Sequence, residues 1–215
     1  STAANERKSI AMLSKMSALI AGFDRHRKGL DFVDPDPDMC LAENFLYMLN
    51  GEKPTEQMAK AMDICLILHA DHGFNASTFA SLVTISTLSD MYSAVTTAIG
   101  TLKGPLHGGA NQGVMVMLQE IDSLDDVEEY VMTKLQNKEK VMGFGHRVYK
   151  AYDPRATYLK TFSEVIAKDT GNLDLFQKSK FIEEIMDREV GEKGIYPNVD
   201  FYSATTYFSL GIDLD

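Results

Sequence analysis

Apolar residues recur along this chain with a helical period almost throughout. Ile10, Leu13, Met16, Ile20 and Phe23 share one face of the first segment while Lys and Arg occupy the rest, which predicts an amphipathic helix. The run Asp34-Pro35-Asp36-Pro37-Asp38 breaks it as a loop. A second helix is expected from about Met39 to Asn50, with Leu41, Phe45 and Leu49 at helical spacing and Gly51 as its stop. Pro54 and Thr55 open a third, in which Met58, Met62, Cys65 and Leu68 fall on one stripe.

Between Asn75 and Ile99 two signals compete. Val83-Thr84-Ile85-Ser86-Thr87 favours a strand by its β-branched content. The stretch contains neither Gly nor Pro, however, and is far longer than a strand. Length therefore predicts one long, heavily buried helix, rich in Ala, Ser and Thr, that is either the centre of the core or the face of a dimer. Further helical patterns cover about Gln112–Ile121, Leu124–Gln136, Arg155–Lys168, Leu175–Val190 and Val199–Leu210. No alternating run stands out, so the fold class is mainly α. Glycine-dense loops at Gly104–Gly109, Gly143–Gly145 and Gly191–Gly194 lie between helices, where functional groups are most often displayed.

Composition narrows the function classes. The chain has 215 residues, 45% hydrophobic and 24% charged, ordinary for a soluble globular protein of one large or two small domains. A net charge of −10 argues against a nucleic-acid surface, although a local basic pocket can still hold a small polyanion. Cys40 and Cys65 have no metal-like or disulfide spacing; both are expected to be buried free thiols in a reducing, cytoplasmic setting. Nothing approaches the ~20 apolar residues of a membrane span, and no signal peptide is visible. The chain starts without Met directly in a helical pattern and stops just after another, which reads as an internal fragment.

Five histidines are present. His26 belongs to a basic helix end. His69 and His72 are three apart, compatible with a metal pair or with satisfied groups at a helix terminus. His107 is flanked by Gly104, Pro105, Gly108 and Gly109 just before a helix, a position that disfavours imidazolium and suits hydrogen-bond donation to a carbonyl. His146 follows Gly143 and Gly145 and precedes Arg147, Lys150 and Arg155, residues fit for a phosphate or carboxylate or for a solvated face. Asn198 suits a helix cap, leaving Asp200 in the first turn among aromatics, where burial raises a carboxyl toward a working base.

Five segments, in order, resemble the citrate synthase family over roughly two-thirds of the chain. They are His69-Ala70-Asp71-His72 with Asn75-Ala76-Ser77, Gly104-Pro105-Leu106-His107-Gly108-Gly109-Ala110-Asn111, Gly143-Phe144-Gly145-His146-Arg147-Val148-Tyr149-Lys150, Asp153-Pro154-Arg155, and Tyr196-Pro197-Asn198-Val199-Asp200-Phe201. The resemblance implies an acyltransferase that condenses acetyl-CoA with oxaloacetate to citrate and CoA. In it Asp200 is the base, His107 stabilises the enol or enolate, and His146 polarises the ketone. His72 and Arg155 would contact oxaloacetate, Arg155 by a bidentate pair, while Gly143, Gly145 and Lys150 would face CoA. No metal or redox cofactor is implied, acetyl-CoA being a co-substrate, and the full-length protein would be a homodimer or higher homo-oligomer. The resemblance divides the chain into large-domain helices at 1–107, a small mobile domain at 108–195, and a return to the large domain at 196–215. Rival readings are a 2-methylcitrate synthase using propionyl-CoA, a metal-dependent hydrolase built on His69 and His72, and a non-catalytic helical interaction protein.

Overall fold

Ten α-helices and no strand make up the computed structural model, which describes residues 2–70, 73–146 and 151–214. They are α1 (Thr2–Arg27), α2 (Leu41–Asn50), α3 (Glu56–His69), α4 (Ala76–Ser86), α5 (Met91–Leu102), α6 (Gly109–Gln119), α7 (Val127–Gln136), α8 (Pro154–Thr170), α9 (Leu173–Val190) and α10 (Val199–Ser209). Short 3₁₀ turns at Leu124–Asp126 and Gly191–Lys193 lead into α7 and out of α9. The mainly α expectation holds, and most helix limits fall where the caps place them. Thr55 accepts from the Met58 N–H to start α3, and Gly51 closes α2 in the left-handed conformation.

The core has two parts. Helices α1, α2 and α3 enclose Ala42, Leu46, Leu49, Ala61 and Met62, to which Ile166 of α8 and Leu210 beyond α10 also belong. Helices α6 to α10 enclose the larger part, around Val114, Met115, Leu118, Leu159, Ile182, Ile185, Phe201 and Tyr202. Helix α10 packs chiefly on α8 and α6, so the chain returns through the middle of the second core. The buried Lys178 donates to the Ile121 carbonyl at 2.6 Å and fixes the segment just beyond α6.

One long helix was expected at Asn75–Ile99, and the structure has two. The stretch divides at Thr87–Asp90 into α4 and α5, which pack against each other as a hairpin. The break has a local cause. Asp90 accepts from the Ser93 backbone N–H at 3.0 Å and from its hydroxyl at 2.9 Å, capping α5 from within the run. Upstream, the Thr84, Ser86 and Thr87 hydroxyls bond the carbonyls of the preceding turn, and Leu88 turns into the left-handed region at φ 64°. Nor is the segment heavily buried. No residue of α4 and only Ala94 of α5 is buried; Phe79, Leu82, Val83, Tyr92 and Ile99 are exposed. The Ala, Ser and Thr residues let the two helices approach, joined by a 3.1 Å Thr84–Thr97 hydroxyl bond, while the bulky residues face outward. The apolar stripe of α1 is likewise exposed at Ile10, Leu13, Ile20 and Phe23, and Ala21 alone is buried there.

Leu88 gives a test of the hairpin. A Cβ-bearing residue in the left-handed region costs ~1–2 kcal/mol, and glycine's greater freedom when unfolded returns part of the difference. Leu88 is 95% exposed and offers no packing to lose. Leu88→Gly should therefore stabilise the protein by about 0.5–1 kcal/mol in urea unfolding; a lower urea midpoint would show that the strain is absent.

Candidate active site

A cavity of about 1020 Å³ opens where α3, α4, α6, α8 and α10 begin or end. Its wall includes His107, His146, Asp200, Arg155, Gly143 and Gly145, six of the eight residues singled out from the sequence. The other two, His72 and Lys150, lie outside the described residues, as does Arg147.

The loop carrying His146 and the start of α10 are stitched together. Gly145 donates its N–H to the Tyr196 carbonyl at 2.9 Å, and Asn198 donates its N–H to the Gly143 carbonyl at 2.9 Å. Asn198 works twice more. Its Oδ1 accepts the Asp200 N–H at 3.0 Å as the cap of α10, and its Nδ2 donates to the Gly145 carbonyl at 3.0 Å. Asn111 of α6 bonds the Ser203 hydroxyl at 2.7 Å, bringing the helix after His107 onto the helix that carries Asp200. Gly143 is required on two counts. Its φ is +81°, and a Cβ would meet Phe201 at 2.7 Å and Val114 at 2.9 Å.

Asp200 is half-buried, and burial lifts its carboxyl to about 6. The Arg155 charge opposes that rise and the Asp153 charge adds to it. Asp153 has the opposite balance. Burial alone would raise it, but the Arg155 side chain, backbone N–H and charge, with His146 behind them, hold it below the ordinary carboxylate range. The pairing is a fork: Arg155 Nε donates to Oδ1 at 3.0 Å and Nη2 to Oδ2 at 2.7 Å. Asp153 also caps α8 through the Arg155 N–H, with Pro154 in the first turn.

His107 has its tautomer set by Ser77. A backbone N–H can only donate, and that of Ser77 points at His107 Nε2 at 3.3 Å. Nε2 therefore carries the lone pair and Nδ1 the proton. The Ser77 hydroxyl lies 3.0 Å from the same nitrogen and 2.8 Å from Asn75 Oδ1, and its single proton serves one of these two acceptors at a time. His69 closes α3 with Nδ1 donating to the Cys65 carbonyl at 2.7 Å, the bond of a group satisfied at a helix end. Cys65 is fully buried, as expected, and burial pushes its thiol up to about 12. Cys40 is exposed, contrary to expectation, because it stands at the N-cap of α2 rather than inside the helix.

Residues 1–215 match the family profile of the citrate synthase C-terminal domain. The chain belongs to the citrate synthase family. It is 53% identical to a citrate synthase of Deinococcus radiodurans over 95% of this chain and 54% of that protein. It is 54% identical to citrate synthase 2 of Bacillus subtilis over 99% of this chain and 56% of that one. Among solved structures, the citrate synthase of Thermoplasma acidophilum, in ternary complex with carboxymethyl coenzyme A and oxaloacetate, superposes with a TM-score of 0.89 at 40% identity, covering 94% of this chain and 54% of the other. The chain thus spans about half the length of the curated relatives it matches.

Sequence reasoning on this citrate synthase family chain gave Ser77 no role of its own, although Ser77 closes the Asn75-Ala76-Ser77 segment and stands in a cap-like motif with Asn75. It also passed over Lys140, which lines the cavity but reads in sequence as part of a charged, solvated stretch.

The two loop glycines should separate. Gly143→Ala combines left-handed strain of ~1–2 kcal/mol with overpacking of ~1–3 kcal/mol, so a loss of about 2–5 kcal/mol is expected in thermal or urea unfolding. Gly145→Ala meets no atom within 4 Å and bears only the φ of +82°; about 1–2 kcal/mol is expected. Equal losses in the two variants would contradict the packing described at Gly143.

Proposed function

We propose that this chain carries the condensing half of a citrate synthase, joining acetyl-CoA to oxaloacetate to give citrate and free CoA. The observation that carries the reading is one cavity lined by a burial-raised carboxyl, an imidazole with its proton directed to Nδ1, a second imidazole and an arginine. The Thermoplasma relative's complex with a CoA analogue and oxaloacetate supports the same pair of ligands.

Asp200 removes a proton from the methyl carbon beside the thioester. That carbon acid is too weak for a carboxylate unless the developing oxyanion is stabilised at once. His107 does this by donating its Nδ1–H to the thioester oxygen; a preorganised donor of this kind contributes ~3–4 kcal/mol. The carbon then attacks the oxaloacetate ketone, which His146 polarises, and His146 supplies the proton that the new alkoxide needs. Hydrolysis of the citryl-CoA thioester releases citrate and CoA. Arg155 holds a substrate carboxylate through its charge and the N–H groups outside the Nε–Nη2 edge, which Asp153 occupies. His72 would join it at oxaloacetate. The Gly143–Gly145 backbone and Lys150 would meet CoA, with Lys140 at the cavity wall. Acyl-CoA is a co-substrate in this scheme, and no cofactor or metal takes part.

The cavity is bounded on one side by His69, Ala70, Asn75, Ser77 and residues 105–107 and on the other by 140–146 and Arg155. We assign these sides to the 1–107 and 108–195 segments, which close on the substrates and exclude water. The 196–215 segment we assign with 1–107 to the large domain, its helix α10 packing across on α6 and α8. The outward apolar faces of α1 and of the α4–α5 hairpin suit burial in a homodimer or larger homo-oligomer. Two unpaired cysteines suit the reducing cytoplasm.

Asp200→Asn keeps the shape and removes the base, so kcat, followed by CoA release, should fall by roughly 10²–10⁴ while oxaloacetate affinity by calorimetry stays within a few-fold. Oxaloacetate affinity unchanged in Arg155→Lys but abolished in Asp200→Asn would reverse the two assignments. Comparing acetyl-CoA with propionyl-CoA fixes the acyl group, since one methylene is worth only ~1–3 kcal/mol.

Asp200 also sets a pH signature. The base must be ionised, so kcat should fall as pH drops through about 6. Its folded pKa lies above the ordinary value of 3.8, so the fold gains from its protonation below that value and loses the gain as pH rises through 6. Asp200→Asn should accordingly melt above the wild type at pH 8, with the gap closing by pH 4. A gap that widens toward low pH would reverse the sign and disprove the burial argument.

A further inference from the structure

Outside the residues given a role above, Glu183 of α9 gathers three donors from three different elements. Tyr152, in the segment leading into α8, donates to Oε1 at 2.7 Å. Lys160 of α8 donates to Oε2 at 2.6 Å, and the Tyr202 hydroxyl of α10 donates to the same oxygen. The Glu183 side chain is only 12% exposed, and Lys160 sits over the Tyr202 ring at 5.6 Å. A carboxylate this enclosed holds its partners strongly, because ionised acceptors roughly double the strength of each bond.

Two of these partners adjoin the chemistry. Tyr152 is the chain neighbour of Asp153, which is 1% exposed and grips the Nε–Nη2 edge of Arg155. Tyr202 stands two residues past Asp200 on α10. Resting on the reading of Arg155 as the holder of a substrate carboxylate, we propose that Glu183 is a positioning residue: through Tyr152 it fixes the Asp153–Arg155 fork, and through Tyr202 it ties that fork to the helix carrying the base. Glu183 touches no substrate. Its effect is to hold the carboxylate-binding group and the proton-removing group at one spacing, although they come from different helices.

Tyr152→Phe deletes only the hydroxyl that reaches Glu183, and Lys160→Met removes a donor that does not adjoin the site. Two readouts are taken on each. The first is hydrogen exchange of the Arg155 Nε–H by ¹⁵N NMR, which reports the grip of Asp153 without any turnover. The second is the KM for oxaloacetate against kcat. In Tyr152→Phe the Nε–H should exchange at least threefold faster and KM should rise about three- to tenfold, the effect of one lost hydrogen bond, with kcat within twofold. Lys160→Met should leave both readouts within twofold. An unchanged Nε–H in Tyr152→Phe, or equal changes in the two variants, overturns the positioning role. A loosened Nε–H in a protein whose wild type does not turn over oxaloacetate would sink the functional reading and leave the positioning role standing.

Discussion

The stitch between residues 143–145 and 196–198 is the constraint from which the site follows. Two backbone hydrogen bonds and one side-chain amide join a glycine loop to the entrance of α10. The loop positions His146, and the helix entrance positions Asp200. The stitch closes only because residue 143 has no Cβ, since Phe201 and Val114 fill the space a side chain would occupy. Phe201 is itself wholly buried, in edge contact with Phe144 at 4.6 Å, so the core and the site share a wall. Such a wall transmits strain rather than absorbing it, which ties the geometry of the chemistry to the packing of the second core.

The acid–base character of the cavity comes from two carboxyls in unlike surroundings. Asp153 meets a guanidinium fork and a helix N-terminus and remains anionic. Asp200 is desolvated by burial, which the Arg155 charge only partly offsets, and its proton affinity rises. Neighbouring groups of one chemical type are thereby divided between a permanent anion and a carboxyl of raised proton affinity.

Much of this was legible in the sequence, for definite reasons. Caps and stops are local, so Thr55, Gly51 and Asn198 announced their helix ends. Asp200 stood out because aromatics surround it within a few residues. What was missed depends on partners distant in the chain. Ser77 reaches His107 across 30 residues and Tyr152 reaches Glu183 across 31, and periodicity reports faces rather than pairs. The division at Leu88 was hidden by the absence of Gly and Pro, although Asp90 followed by Ser93 carried the signal of a new cap. Burial of the hairpin was overestimated because apolar and small residues show only that a face seeks cover, not that this chain provides it.

The two cysteines differ in a way that reaches beyond packing. Cys65 is sealed and its proton is held to about 12, while Cys40 stands exposed at the start of α2. An electrophilic dye or spin label would thus find one address per folded chain, on a helix bordering the first core rather than the cavity. The same asymmetry matters to any colour reaction that counts liberated CoA thiol, because each folded molecule contributes a single sulfhydryl of its own to the starting signal. A second equivalent appearing on warming would report that the first core has opened around α3.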